Sequence, residues 1–477
     1  MTTTYDAQPA LYIDGEFLSG DGRDTHTVIN PATGEAIGEV PLATGADLDA
    51  ALEASARGFE TWRAMDVDAR GAILKKAAAL LRERAEGIGR TMTMEQGKPL
   101  AEAKSEVMGS AQILDWAAEE AKRQYGRVLV RPAGQRSMVI RQPVGPVAAF
   151  SPWNFPTYLM AKKLGPALAA GNSVIAKPPE ETPGCTGALI RALHDAGIPK
   201  GAAQLVHGVP DTVSRHLLAS PVIRKVSFTG SIPVGRHLMK LAADGLKRIT
   251  MELGGHAPVL VFDDCDLDKT LDMVVPQKFR NAGQVCVSPT RFFVQEGIHD
   301  AFVKGFAERT AKVRVGNGLE EGTAMGPLAN ERRPGAIDEL VGDAVASGAR
   351  LMAGGERGDA GYFYRPTLLA DVPDAARVMN EEPFGPLAVT QSFATLDEAI
   401  AKANRLPYGL AAFAFTEGLK TANLVGDAVE AGMVGINSFA ISAVDAPFGG
   451  VKDSGFGSEG GPEGFEAYTV TKAIHQG

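Results

Sequence analysis

Short apolar runs alternate with helical patterns from residue 144 onward, and this is the strongest structural signal in the chain. The first candidate strands are Val147–Phe150, Ser173–Ala176, Ala203–Val206, Lys225–Phe228 and Pro258–Phe262. Helical patterns lie between them, near residues 157–170, 184–196, 212–219 and 233–244. A second series of candidate strands is Arg291–Val294, Leu387–Thr390, Ala411–Phe415 and Met433–Asn437. Strands joined by crossover helices predict parallel sheets, so we expect two α/β domains in sequence.

The first 120 residues are mainly helical in pattern after a short extended lead-in. Thr44 and Asp47 fit a capping box, and residues at helical spacing follow as far as Trp62. A second helical pattern runs from Ile73 to Leu81. Two apolar segments between about residues 126 and 143 flank a Pro-Ala-Gly turn and predict a hairpin. Because a two-stranded ribbon is marginal alone, we expect it to pair with another segment.

The composition is that of an ordinary soluble globular protein, with 45% hydrophobic and 22% charged residues among 477. A net charge of -9 argues against nonspecific nucleic-acid binding, which needs a basic face. We expect no signal peptide and no membrane span, because no basic segment followed by an apolar run opens the chain and no apolar stretch approaches about 18 residues.

Three cysteines, Cys185, Cys265 and Cys286, are widely spaced and form no CxxC pair. Neither a disulfide framework nor a zinc site is therefore expected, and a reducing, cytoplasmic setting is the simplest interpretation. The eight histidines are scattered without metal-ligand spacing, so we expect no metal. No GxSxG segment is present, which argues against a serine hydrolase.

A thiol and a carboxylate lie in separate Gly-flanked segments, at Cys286 and Glu252. A thiolate can attack a carbonyl carbon, and a carboxylate can move protons for a later hydrolytic step. A lone cysteine is more often a small buried hydrophobe, so this pair alone leaves a structural role open. Trp153 and Asn154 follow strand Val147–Phe150, where the amide N–H could stabilise an oxyanion or simply make a turn contact.

Several strand ends carry residues suited to a nucleotide. Lys177 and Glu180 follow one strand, at the position where open α/β sheets bind ligands. Gly230 and Ser231 form a turn between a strand and a helix, where backbone N–H groups favour phosphate, although a bare turn is equally compatible. Residues 455–460 match GxGxxG, but with no buried strand before them and Pro462 after them they predict only a glycine-rich loop.

A further stiff, acidic loop covers residues 381–386, with a solvated turn as the alternative interpretation. Arg236-His237 stands where a P-loop would have Lys-Ser/Thr, so NTP hydrolysis is not expected.

Together these segments closely resemble the NAD(P)-dependent aldehyde dehydrogenase superfamily over essentially the whole length. The segments that carry the resemblance, in the order that the family has, are PWNFP, Lys177 with Glu180, FTGS-x-x-VG, MELGG, GQ-x-C, EE-x-FGP and PFGG. The resemblance implies an α/β aldehyde dehydrogenase fold with a Rossmann-like cofactor domain, 1–123 and 144–254, and a catalytic domain, 255–453. Residues 124–143 and 454–477 would form a β-hairpin oligomerisation arm with the C-terminal strand 466–473, giving a homodimer or homotetramer.

The resemblance also assigns roles to the residues already singled out. Cys286 would attack the aldehyde carbon, Asn154 and the Cys286 backbone N–H would hold the oxyanion, and Glu252 would activate water to release a carboxylic acid. Cofactor-binding residues would be Trp153, Lys177, Glu180, Gly230, Ser231, Glu382 and Phe384.

The Glu180 carboxylate would disfavour a 2′-phosphate, so we expect NAD in preference to NADP, with NADP possible. The carboxylate of Glu252 is the feature of the family's hydrolytic members, so the resemblance implies hydrolysis and not transfer to coenzyme A. Substrate-binding residues would be Arg280, Lys162 and Ser442, and the chain looks most like the succinate-semialdehyde and α-ketoglutarate-semialdehyde enzymes. Lys162 replaces the usual arginine and is a weaker bidentate partner. Other aliphatic, aromatic or sugar-derived aldehydes, and a non-catalytic structural or binding protein, are the alternatives.

Overall fold

The computed structural model describes residues 5–477, and these residues form an α/β protein. The strands are β1 Leu11–Ile13, β2 Glu16–Leu18, β3 Thr25–Asn30, β4 Glu35–Pro41, β5 Arg127–Leu129, β6 Arg136–Pro143, β7 Val147–Phe150, β8 Val174–Lys177, β9 Ala203–Leu205, β10 Lys225–Thr229, β11 Arg248–Glu252, β12 Ala257–Val261, β13 Pro289–Gln295, β14 Arg350–Ala353, β15 Thr367–Ala370, β16 Leu387–Phe393, β17 Ala411–Phe415, β18 Met433–Ile436, β19 Gly455–Phe456 and β20 Thr469–Gln476. The helices are α1 Gly45–Ala64, α2 Val67–Glu83, α3 Ala85–Gln96, α4 Leu100–Glu120, α5 Pro156–Ala169, α6 Pro183–Ala196, α7 Pro210–Ala219, α8 Ile232–Asp244, α9 Leu267–Phe279, α10 His299–Thr310, α11 Arg332–Ala346, α12 Leu396–Asn404, α13 Leu419–Ala428 and α14 Gly461–Glu466.

The first large sheet has the order β19-β11-β10-β7-β8-β9-β1-β2. Its five central strands, β11 to β9, are parallel, and β19, β1 and β2 pair antiparallel at its two sides. The strands predicted between residues 147 and 228, and the helices between them, are confirmed. The sequence did not reveal β11, because its first residue, Arg248, is exposed and only its last three residues are buried.

The second large sheet has the order β14-β15-β16-β13-β12-β17-β18. β12, which we predicted as the last strand of the first series, lies in this sheet between β13 and β17. The predicted second series of strands is present, with β14 and β15 in addition. The largest apolar core packs around this sheet and includes Phe292, Phe302 and Phe413.

The predicted hairpin forms from β5 and β6, and β20 pairs antiparallel along the whole of β6, from Thr469 opposite Pro143 to Gln476 opposite Arg136. The expectation that the hairpin pairs with another segment is confirmed. The C-terminal strand begins later than the predicted residue 466, because α14 occupies residues 461–466.

Two local predictions have opposite outcomes. The capping box is present: the Thr44 hydroxyl accepts from the Asp47 N–H at 3.2 Å, and the Asp47 carboxylate accepts from the Thr44 N–H at 2.9 Å. The interpretation of Pro462 as a poor start for a helix is wrong, because Pro462 lies in the first turn of α14, where its missing N–H costs nothing. Residues 455–460 nevertheless form no strand–turn–helix fingerprint, since the strand in this segment, β19, has only two residues and runs antiparallel at the sheet edge.

Candidate active site

Four of the predicted site residues lie at the carboxyl ends of parallel strands in the first sheet. Asn154 follows β7, Lys177 ends β8, Gly230 follows β10 and Glu252 ends β11. Parallel strands of one sheet end at the same edge, so residues far apart in sequence come to one side of the molecule.

A groove of about 1280 Å³ lies at this edge and contains five of the predicted cofactor residues in its lining. They are Trp153, Lys177, Glu180, Gly230 and Ser231. The Lys177 ammonium and the Glu180 carboxylate form an ion pair. Ser231 is the N-cap of α8 but makes no side-chain cap, so the N–H groups at this helix start are available to an anion such as a pyrophosphate. A dinucleotide fits this lining.

Gly230 is needed where the chain turns from β10 into α8. A Cβ at this position would lie 2.4 Å from the Phe228 ring, which no side chain tolerates without displacement of the ring. The turn that brings the α8 N–H groups to the groove therefore depends on glycine.

Glu382 and Phe384 lie where the groove lining at Trp153 approaches Cys286. The Phe384 ring meets the Trp153 ring edge to face, with centroids 5.5 Å apart. The Glu382 carboxylate accepts from the Gly255 N–H at 3.2 Å. Loss of surrounding water raises the pKa of Glu382 to about 7, against the opposing effect of the Gly255 hydrogen bond. The charge of this carboxylate acts on Cys286, so the two groups are neighbours.

Cys286 is half-buried and follows a strained turn. Asn281 and Ala282 have φ values of 49° and 52°, and Gly283 has 70°, so three consecutive residues adopt the left-handed region. Non-glycine residues rarely adopt this conformation unless surrounding contacts hold them there. Here the Asn281 side chain donates to the backbone carbonyls of Asn154, at 2.9 Å, and Gln284, at 3.3 Å.

The surroundings of Cys286 disfavour ionisation of its thiol. Burial, followed by the negative charges of Glu382 and Glu252, raises the pKa of the thiol to about 12. Lys162 and a hydrogen bond from the backbone of Val287 act in the opposite direction. The thiolate is the attacking species, so it has to form in the site before it can add to a carbonyl carbon.

Asn154 is buried, with 2% of its surface exposed, beside the cysteine segment. Its Nδ2 atom donates to the Gln284 carbonyl at 3.1 Å. Its own carbonyl accepts from the Lys98 ammonium at 2.7 Å and from Asn281. Since an amide nitrogen carries two N–H groups, one hydrogen bond leaves a second available to a developing oxyanion.

Glu252 is buried, with 2% of its surface exposed, and neither carboxylate oxygen has a hydrogen-bond partner in the described structure. Burial and the nearby Glu459 raise the pKa of Glu252 well above its usual range, while Lys162 and Lys163 oppose that rise. A buried carboxylate without partners is costly, and a general base with a raised pKa is one purpose that such an arrangement serves.

A buried ion pair of Lys163 and Glu459 next to Glu252 was not predicted from the sequence. The Lys163 ammonium also donates to the Thr229 hydroxyl at 2.7 Å, and both members of the pair are almost fully buried. Two adjacent lysines in an otherwise apolar helix were the available signal, but the partner carboxylate lies 296 residues further along the chain.

The three predicted substrate-binding residues lie in two different places. Lys162 lies on α5, where its Nζ atom is 3.5 Å from the Ser442 hydroxyl and 3.7 Å from the centre of the Phe448 ring. Arg280 is exposed, and its guanidinium carbon lies 5.3 Å from the Phe155 ring centre. It lines a different cleft, of about 690 Å³, that also includes Glu102.

Across residues 5–477, no three His, Cys, Asp or Glu side chains are grouped to hold a metal ion. No helix in the described part of the chain has the length and apolar character needed to span a bilayer.

Comparison with known proteins gives consistent results. The family described as "Aldehyde dehydrogenase family" matches residues 17–474. A 4-(hydroxymethyl)benzenesulfonate dehydrogenase of Comamonas testosteroni is 50% identical, over 100% of this chain and 99% of that protein. A glutarate-semialdehyde dehydrogenase of Pseudomonas putida is 44% identical, over 97% and 96%. The crystal structure of an Escherichia coli NADP-dependent enzyme superposes with a TM-score of 0.97 at 42% identity, over 99% of this chain and 98% of that one.

Proposed function

The chain belongs to the aldehyde dehydrogenase family, and from that premise we propose that it oxidises an aldehyde with a distal anionic group to the carboxylic acid. The observation that supports this oxidation chemistry is the half-buried Cys286 thiol beside the buried, unpartnered Glu252 carboxylate. This pair supplies a nucleophile and a base for a covalent route through a thioester.

The acylation half of the reaction uses Cys286 and Asn154. The thiolate adds to the aldehyde carbon, forming a C–S bond and a thiohemiacetal whose oxygen carries the negative charge. The second Nδ2–H of Asn154 and the Cys286 backbone N–H stabilise that oxygen. The nicotinamide, when bound, supplies the hydride acceptor that oxidises this carbon. The oxyanion collapses as the hydride leaves, and the product on the sulfur is a thioester.

The deacylation half uses Glu252. Its carboxylate takes a proton from water, the hydroxide adds to the thioester carbon, and the C–S bond breaks to release a carboxylic acid and restore the cysteine. The raised pKa of Glu252 makes it a stronger base than an exposed glutamate. We therefore propose a hydrolytic enzyme, and strict dependence of turnover on coenzyme A would contradict this.

We propose NAD as the preferred cofactor, with NADP as the alternative. Lys177 and Glu180 would hold the adenosine ribose, Ser231 and the α8 start the pyrophosphate, and Glu382 with Phe384 the nicotinamide end. Glu180 supports NAD, because a carboxylate at the ribose accepts hydrogen bonds from its hydroxyls and repels a phosphate. The Lys177–Glu180 pair has no net charge, and a 2′-phosphate would have to displace Glu180 from the lysine.

The proposed substrate is an acidic semialdehyde or an aldehyde with an equivalent anion. The named substrates of the two relatives above carry a carboxylate or a sulfonate at the end remote from the reacting carbon. Two cations of this chain, Lys162 and Arg280, are candidates to bind such a group, with Ser442 beside the first. Neutral aliphatic, aromatic or sugar-derived aldehydes are the alternative.

We also propose that the sheet of β5, β6 and β20 joins protomers into a homodimer or homotetramer. Its outer strand exposes Val128 and, just beyond it, Val130, which are 71% and 96% exposed in the single chain. Light scattering of a chain with both valines replaced by threonine tests this, since the assembly should dissociate.

The function is tested by reduction of NAD and NADP with a panel of aldehydes. We expect Cys286→Ala to abolish turnover and Cys265→Ala, at a cysteine in the loop between β12 and α9, to retain it. A chain that binds the cofactor but reduces none with any aldehyde would favour the non-catalytic alternative.

A further inference from the structure

Helix α11 begins with two adjacent arginines that have different surroundings. No acidic residue lies in its first turn, although the positive end of the helix dipole favours acidic side chains there and disfavours cations. Arg332 is exposed and pairs with Glu181 at 3.3 Å. Arg333 is half-buried, and loss of surrounding water lowers the pKa of its guanidinium. A half-buried cation at this end of a helix is unfavourable by local preference, so its tertiary contacts have to account for it.

The contacts of Arg333 are with the backbone of the loop of residues 381–386. Its Nη2 atom donates to the Phe384 carbonyl at 3.1 Å and also to the Pro383 carbonyl. Pro383 and Pro386 carry no N–H, so the loop has few backbone donors with which to satisfy its own carbonyls. The guanidinium therefore supplies hydrogen-bond donors that the backbone of the loop lacks.

Phe384 has an uncommon backbone conformation, with a φ of 41°. A bulky residue rarely adopts this left-handed region unless surrounding contacts hold it there. Arg333 bonds to the carbonyl of Phe384 and to the carbonyl just before it, so it fixes the peptide groups on both sides of this residue. The directions of the Phe384 ring, which meets Trp153 edge to face, and of the nearby Glu382 side chain depend on this turn.

The loop lies between α11 and the cysteine segment, residues 281–286. A Cβ on Gly283 would overlap the Gly385 carbonyl, and a Cβ on Gly385 would lie 2.5 Å from a side chain of α11. The cysteine segment also has contacts of its own, since the Gln284 side chain accepts from the Ala329 N–H at 2.9 Å. Loosening of the loop should therefore displace the nicotinamide end of the site while the cysteine segment keeps its position.

We propose that Arg333 is a positioning residue for hydride transfer, which holds loop 381–386 so that Glu382 and Phe384 keep the nicotinamide end of the cofactor in place. The proposal rests on the proposed NAD-dependent oxidation and deepens it. Arg333 acts through the loop and contacts neither reacting group. Burial raises the pKa of Glu382 to about 7, and the Gly255 hydrogen bond and the charge of Arg333 oppose that rise. The guanidinium thus also favours the charged form of this carboxylate.

Arg333→Met is the informative change, because it keeps an unbranched side chain and removes every donor. The rate of reduced-cofactor formation at saturating NAD and aldehyde should fall about 10- to 100-fold, since a misplacement of about 1 Å can cost that much. Arg333→Lys keeps an ammonium that can donate to both carbonyls and should lose less than about tenfold. Arg350→Met, at an exposed arginine of β14 that pairs with Asp371, is the matched control and should keep the wild-type rate.

Ester hydrolysis separates positioning of the cofactor from general damage to the site. Hydrolysis of 4-nitrophenyl acetate needs the Cys286 nucleophile and the Glu252 base but no hydride acceptor. Arg333→Met should therefore keep the ester rate within about threefold of the wild-type rate while aldehyde oxidation falls. Equal losses in the two activities would indicate a general structural role and overturn the proposal. Equal losses of oxidation in Arg333→Met and Arg333→Lys would also overturn it.

Cofactor binding is measured without turnover in the Cys286→Ala chain. NAD, and AMP as a probe that lacks the nicotinamide half, are titrated by calorimetry with and without the added Arg333→Met change. That change should weaken NAD binding about 3- to 10-fold and leave AMP binding unchanged, because the loop acts on the nicotinamide end. This result without oxidation of any aldehyde would refute the proposed function and leave the positioning role standing. An equal weakening of AMP binding, or unchanged NAD binding with an unchanged oxidation rate, would refute the positioning role.

Discussion

Replacement of Asn154 by alanine tests the oxyanion assignment with little disturbance of the fold. The Asn154 backbone carbonyl is held independently by Lys98, at 2.7 Å, and by Asn281, at 2.9 Å, so the segment should keep its position without the side chain. The Gln284 carbonyl loses its Asn154 donor but keeps the Asn281 amide at 3.3 Å. No buried acceptor is therefore left without a partner, and the expected loss of stability is small.

The catalytic loss should be large by comparison. Removal of one oxyanion donor costs about 2.7–4 kcal/mol, which corresponds to a decrease in kcat of about 100- to 1000-fold. Stopped-flow absorbance of the reduced cofactor, at saturating NAD and aldehyde, measures the hydride-transfer step directly. Cofactor affinity should change little, because Asn154 contributes its side chain to the cysteine segment and not to the groove lining.

Asn423→Ala, at an exposed position on α13, is the matched control and should keep the wild-type rate. A rate loss of less than tenfold in Asn154→Ala, with unchanged thermal stability, would refute the oxyanion role. A large rate loss accompanied by extensive destabilisation would instead assign Asn154 a structural role.

Three further perturbations have defined expected outcomes. The value of kcat/KM should rise from neutral to alkaline pH, because burial raises the pKa values of Cys286 and Glu252 and both must lose a proton to act. A constant kcat/KM over this range would contradict that. Glu180→Ser should raise the NADP-over-NAD ratio of kcat/KM about tenfold or more, because it removes a repulsion of about 1–4 kcal/mol between the carboxylate and the 2′-phosphate. An unchanged ratio would show that Glu180 does not determine the cofactor preference. Glu106→Gln should lower the unfolding free energy by about 3–5 kcal/mol in urea titrations, because it leaves the buried Lys98 ammonium without its carboxylate. A loss below about 1 kcal/mol would mean that the ion pair contributes little to stability.

The parallel core of the first sheet was predictable because its strands are buried on both faces. β7, β8 and β10 are continuous buried runs with helical patterns between them, which is the signal of a doubly covered sheet. β11 lacks that signal because its first residue is exposed. β12 has the same pattern as the strands of the first sheet but pairs in the second sheet. Pairing partners depend on long-range packing that a local pattern does not encode.

The candidate site, like the fold, was predictable only in part. Cys286 and Glu252 were identified from local segments and their resemblance to a family, but their surroundings were not. The left-handed backbone at Asn281 and Ala282 falls on residues that normally avoid it, so no local preference predicts the turn. The Lys163–Glu459 pair joins two distant segments and becomes visible only in three dimensions.

The central claim, a thioester on Cys286 that Glu252 hydrolyses, is tested most directly by a burst experiment with Glu252→Gln. Because this change spares the nucleophile and removes the base, one equivalent of reduced cofactor per chain should form rapidly and turnover should then slow about 100- to 10,000-fold. Mass spectrometry of the same sample should find the acyl group on Cys286. A slow linear reaction without a burst, or a burst with no modified Cys286, would contradict the account.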